Sequence, residues 1–85
     1  MARTIHSEGQ NALIQTLIAA RKAANLTQTD LAVRLRCHQS LVARIESGQR
    51  RIDVAELVIL CRALNVEPAS ILSVVEKAVP VDARI

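Results

Sequence analysis

Residues 27–46 read TQTDLAVRLRCHQSLVARIE, and the fold turns on how they divide. Thr27 offers an N-cap hydroxyl, and Asp30 stands where the acidic partner of a capping box belongs, although Glu or Gln is usual there. Leu31, Ala32 and Leu35 then share one helical face. The pattern breaks at Cys37-His38, so this helix is only about two turns long and stops near Arg36. It restarts at Gln39, with Val42 and Ile45 as the buried positions. A helix this short does not persist alone in water, so packing must hold it. Its outer positions are Gln39, Ser40 and Arg44, where a solvated face would usually carry Glu and Lys.

Two short helices joined by about three residues form a helix-turn-helix unit. In that unit the first helix crosses the DNA backbone and the second lies in the major groove, presenting its N-terminal side chains to base edges. Gln pairs bidentately with adenine N6 and N7, Arg with guanine O6 and N7, and Ser with either type of edge. On a helix, 40 and 44 lie one turn apart and 39 lies beside 40, so Gln39, Ser40 and Arg44 share a face. Ala43 borders it, within reach of a thymine methyl. Taken singly, Gln39 and Ser40 are ordinary polar residues of a helix start. Arg44 is balanced between a base, a phosphate and solvent. The ordered set carries the reading.

Working outward, residues 1–8 read as a loose polar arm. A first helix runs from about Gly9 to Ala24, with an apolar stripe of Leu13, Ile14, Leu17, Ile18, Ala20 and Ala24. Asn25 suits the left-handed position that follows. Beyond the central pair, Ser47-Gly48 ends the third helix, Gly48 being free to take positive φ, and Gln49-Arg50-Arg51 forms a basic loop. Asp53 and Glu56 make a second capping box, opening a helix with core stripe Leu57, Leu60, Cys61 and Leu64. Asn65 is a second left-handed stop. Pro68 fits the first turn of a fifth helix, with Ile71, Leu72, Val75 and Ala78 inward, and Pro80 ends it. The expectation is an all-α domain of five helices over residues 9–79, with a short tail at 80–85.

The composition agrees. Apolar residues make up 51% of 85, yet Phe, Tyr and Trp are all absent, so the core is aliphatic. Only two Gly and two Pro occur, too few for a domain built on tight β-turns. Without aromatic rings there is no platform for stacking single-stranded bases, which points a nucleic-acid reading toward duplex DNA. The net charge of +3 is unevenly spread. Residues 21–51 hold seven basic and two acidic side chains, net +5, while the remainder is net −2. That is the footprint of a polyanion binder. Cys37 and Cys61 are too few for a disulfide framework and, with His38, lack zinc spacing. No metal or cofactor is expected, and no nucleophile–base pair or phosphate-cradling loop suggests an enzyme. No signal peptide or membrane span is apparent, so a cytoplasmic, nucleoid-associated protein is expected.

The run from Leu26 to Leu72 resembles the phage repressor and Cro type of helix-turn-helix domain, the xenobiotic-response-element family. The matching positions are Arg21, Leu26-Thr27-Gln28, Leu31-Ala32, Gln39-Ser40, Val42, Ile45-Glu46, Gly48, Ala63-Leu64, Val66 and Leu72. The resemblance implies a compact lambda-repressor-like fold. It implies base reading by Gln39 and Ser40, joined by Ala43 and Arg44. It implies phosphate contacts from Gln28, Thr29, Arg36, His38, Gln49, Arg50 and Arg51, with Gln28 also bracing Gln39. It implies a salt bridge between Arg21 and Glu46. Three positions depart from the family pattern. Arg36 stands where the turn usually has Gly, His38 where a Ser or Thr cap is common, and Ile52-Asp53 where Pro often follows the basic loop.

Specific sites of this kind are usually read by two-fold dimers. Ile59 lies about 200° round the fourth helix from Leu57 at the 100° step and faces outward, flanked by Ala55 and Ala63, with Val58 at the border. Val74, Val79 and Val81 add apolar surface, so Val58, Ile59 and Val74 are the candidate dimer interface. The expected function is a homodimeric regulator binding an inverted repeat in double-stranded DNA, its own promoter a candidate target; repression is the expected sign, with activation through polymerase contact left open. RNA polymerase or a partner protein stays open as a second contact. The alternative is a protein-interaction module, such as an antitoxin or antiactivator, that covers a partner.

Overall fold

The computed structural model describes residues 7–85. Five helices follow in order: α1 (Glu8–Ala23), α2 (Gln28–Leu35), α3 (Gln39–Glu46), α4 (Val54–Leu64) and α5 (Pro68–Ala78). The expected arm at 1–8 lies outside the described residues up to position 6. At the end of the arm the structure differs from that expectation, because Glu8 is the first residue of α1 and Ser7 precedes it as the N-cap. The Ser7 hydroxyl accepts from the Gln10 N–H at 3.1 Å.

Both expected capping boxes are formed. Thr27 Oγ1 accepts from the Asp30 N–H at 3.0 Å while Asp30 Oδ2 accepts from the Thr27 N–H at 2.9 Å. Asp53 and Glu56 repeat the arrangement at 2.7 and 3.0 Å. The Thr27 N–H, then its hydroxyl, hold the Asp30 carboxyl below its usual range.

The C-terminal ends of α1 to α4 share one device. Asn25, Arg36, Gly48 and Asn65 all have positive φ, between 56° and 82°. After each, the next N–H reaches back five residues: Leu26 to Arg21, Cys37 to Ala32, Gln49 to Arg44 and Val66 to Cys61. This double closure satisfies carbonyls that the helix end leaves open. In three of the four the residue donating that bond is apolar, and Leu26, Cys37 and Val66 all pack against the core. Arg36 is therefore left-handed, at φ 57° and ψ 45°, in a conformation that costs a non-glycine residue about 1 kcal/mol or more.

One aliphatic core joins all five helices: Leu13, Leu17, Leu31, Ala32, Val42, Leu60, Cys61, Leu64 and Ile71. Val42 and Cys61 are almost wholly enclosed, and burial raises the Cys61 thiol pKa. α1 lies along α5, and α2 packs on α3 and α4. Three assignments are corrected. Leu72, expected inward, is 58% exposed, because Ile71 already fills the core position beside it. Ala24 is exposed, since α1 ends before it. Ala63, expected on the outer face of α4, packs against the core. No helix among the described residues is long and apolar enough to cross a membrane.

Candidate nucleic-acid interface

The site is built on a buried ion pair. Arg21, from the last turn of α1, is only 9% exposed. Its Nε donates to Glu46 Oε2 at 2.7 Å and its Nη2 to Glu46 Oε1 at 2.9 Å. Its Nη1 donates to the Leu26 carbonyl at 2.8 Å. A bidentate guanidinium–carboxylate pair fixes both distance and angle, and this one pins the end of α3 to α1 and to the loop before α2. The bond to Glu46 holds the Arg21 pKa above its ordinary value.

The pair continues outward. Glu46 Oε1 also accepts from Gln28 Nε2 at 3.0 Å, and Gln28 Oε1 accepts from Gln39 Nε2 at 2.7 Å. Four side chains from three helices thus form one line from the interior to the exposed start of α3. Gln39, Ser40 and Arg44 are exposed together on α3, and Ala43 beside them is half-buried. Val42 and Ile45 are buried on the opposite side. The helix start is otherwise bare of capping: His38 occupies the N-cap position without a side-chain cap bond, exposed.

Around this face stand the other candidates. Thr29 and Gln28 begin α2, Thr29 exposed and Gln28 half-buried. Arg36 and His38 project from the turn, and Gln49 and Arg51 from the loop after α3, all exposed. Arg50 differs. Its Nη1 and Nη2 donate to Glu56 Oε1 and Oε2 at 3.1 and 2.7 Å, and Nη1 also to the Arg51 carbonyl at 3.0 Å. The Arg50 guanidinium, together with the Asp53 N–H, holds the Glu56 carboxyl down to about 2. The sequence reading did not find this pair: Glu56 is six residues on, across a loop, where no helical period links it to Arg50. Nor did it find Arg34, whose Nη1 donates to the Ala63 carbonyl at 2.9 Å, bracing α2 against the end of α4.

On the candidate dimer surface, Ile59 is 53% and Val74 43% exposed, with Val58 half-buried. Ile59 and Leu41 line a mainly apolar cleft of about 160 Å³ together with Leu35, Cys37, Ile45, Leu60 and the Arg50–Glu56 pair. Among the described residues no group of three or more His, Cys, Asp or Glu is placed to hold a metal.

Residues 17–71 match the model of a helix-turn-helix family. The chain belongs to that family, in its repressor and Cro-type branch. It is a DNA-binding transcription regulator. Among solved structures, an XRE-family like protein from Pseudomonas syringae pv. tomato is similar at 42% identity, over 91% of this chain and 94% of that one, with a TM-score of 0.80. The restriction-modification controller protein C.AhdI from Aeromonas hydrophila is 31% identical over 73% of this chain and 94% of its own, at 0.67. The clp gene regulator ClgR from C. glutamicum shares the fold at 0.73, with 23% identity over 82% of this chain and 90% of that one. None of the curated proteins compared matches the chain. The helix-turn-helix of this family member is the α2–α3 pair, and the surface above is the face that pair turns outward.

Proposed function

We propose that this helix-turn-helix protein is a repressor that binds an inverted-repeat operator in duplex DNA as a homodimer, and that its own promoter is among its targets. The observation that carries the reading is the exposed start of α3, where Gln39 is held by Gln28 beside Ser40 and Arg44. Gln39, Ser40, Ala43 and Arg44 read base edges. Gln28, Thr29, Arg36, His38, Gln49 and Arg51 meet phosphates, aided by the N–H groups at the start of α2. Arg50, tied to Glu56, sets the loop that carries Arg51. The similarity to a restriction-modification controller protein supports a regulatory role.

Dimerisation places two α3 helices about 34 Å apart on successive major grooves. Val58, Ile59 and Val74 form the contact, with Ile59 and Val74 both exposed apolar residues. Selection of bound duplexes from a random pool is the test: two-fold symmetric sites with half-sites one helical turn apart are expected, and enrichment of no common sequence would overturn the reading. Ile59→Asp should lower the mass to that of a monomer and weaken operator binding; a variant that stays dimeric rules out this interface.

A further inference from the structure

We infer that Glu46, whose side chain is 9% exposed behind the start of α3, positions the reading edge of Gln39 and so contributes to sequence preference. This rests on the proposed reading role of Gln39. The reasoning is one of donors and acceptors. An ionised carboxylate only accepts, and Glu46 Oε1 takes a hydrogen bond from Gln28 at 3.0 Å. Gln28 must therefore turn its NH₂ group inward, which leaves its carbonyl for Gln39. Gln39 must in turn offer its own NH₂, and does so at 2.7 Å. Each amide is locked by the group beneath it, and the lock begins at Arg21 and Glu46, of which one can only donate and the other only accept.

The consequence appears on the outer edge of Gln39. An amide presents one donor and one acceptor side by side. The lock puts its N–H end next to Gln28 and its carbonyl on the far side. Adenine offers N7 as acceptor and N6–H as donor in a fixed order across the major groove. Only one order of the amide matches an adenine at a given place on a docked protein. A Gln39 free to rotate by half a turn about its last bond would accept either order, and discrimination at that base pair would fall. Arg21 fixes the carboxylate in place: it pairs bidentately with Glu46 at 10% and 9% side-chain exposure, which sets the position and angle of the acceptor.

The experiment measures relative affinities for the selected operator and its single-base variants at the position read by Gln39, identified as the pair whose preference Gln39→Ala removes. Glu46→Gln keeps the shape but can donate as well as accept, so both orientations of Gln28 and Gln39 become available. Preference at that one position should fall from about tenfold or more to about twofold, with preferences elsewhere in the half-site retained. Gln28→Met cuts the line above the ion pair, leaves Arg21 and Glu46 in place, and should relax the same position. It keeps the test open should Glu46→Gln fail to fold. Ile71→Ala, which opens the core away from this face, serves as the comparison: it lowers the melting temperature and leaves the preference intact. Overturning results are clear. Unchanged preference in a folded Glu46→Gln protein, or in Gln28→Met, removes Glu46 from recognition while Gln39 keeps its role. A wild-type protein that enriches no common sequence removes both.

Discussion

Among the described residues, two Arg–Glu pairs have nearly equal geometry and unequal consequence. Arg21–Glu46 and Arg50–Glu56 are each bidentate, with a shortest distance of 2.7 Å. The first has side chains 10% and 9% exposed, the second 36% and 34%. The buried pair spans helices that are distant in sequence and ends in the hydrogen bonds that hold Gln39. The half-exposed pair closes a loop between α3 and α4. Geometry alone would rank them equal. The surrounding dielectric ranks them, because an exposed pair loses to water and salt most of what it gains, while a buried charge without its partner has nothing to replace it.

The largest expected effect follows directly. Arg21→Met leaves a buried carboxylate with Gln28 as its remaining side-chain partner and should lose about 3–5 kcal/mol. Arg50→Met should lose far less, because water and salt screen its pair with Glu56. Denaturant unfolding at fixed protein concentration measures both, and equal losses would break the comparison. A third arginine sharpens it from the opposite side. Arg36 is exposed and left-handed, so Arg36→Gly should gain about 1 kcal/mol of stability. If the same variant binds DNA with a flatter salt dependence, the arginine at this turn is retained for phosphate at a cost to the fold.

DNA binding offers the next contrast. Arg51 is exposed, whereas the neighbouring Arg50 is held by Glu56. Arg51→Ala should flatten the slope of log affinity against log salt by about 0.9, equivalent to roughly a threefold change between 50 and 200 mM salt. Arg50→Ala should change the slope less, because Glu56 already neutralises it. The reverse ranking would mean that phosphate displaces Glu56 when DNA binds.

Most of the fold was legible because its signals are local. The capping boxes at Thr27–Asp30 and Asp53–Glu56, the left-handed asparagines at 25 and 65, and Pro68 each depend on a few consecutive residues. The apolar stripes were legible at Leu13, Leu17, Leu31, Leu60 and Leu64, all of them buried. They failed at Leu72 and Ala63, where the choice between adjacent apolar residues belongs to the packing of α5 and α4 and not to periodicity. The surface that α3 presents could be named from Gln39, Ser40 and Arg44, since exposure follows once Val42 and Ile45 are inside. The contacts between Glu46 and Gln28, and between Arg50 and Glu56, could not be read from spacing. They join side chains 18 and 6 residues apart, at separations set by how a turn and a loop close.

The smallest effect is also the one that isolates charge from shape at the exposed pair. Glu56 titrates near about 2 when folded, against an ordinary value of 4.5. A carboxyl lowered by folding contributes stability that is complete above its unfolded pKa and is lost as pH falls toward the folded one. The contribution of Glu56 should therefore fade between about pH 4.5 and about pH 2 and be flat above that window. With the side chain one-third exposed, water and salt screen the pair, and its magnitude should be only about half a kcal/mol. Glu56→Gln preserves the capping bond to the Asp53 N–H, which Gln also makes, and removes only the charge. The variant should match the wild type at pH 2 and fall short of it slightly at pH 6, a gap that closes further in 1 M salt. A gap of several kcal/mol that ignores salt would place Arg50–Glu56 in the same class as Arg21–Glu46, and burial would no longer explain the difference between them.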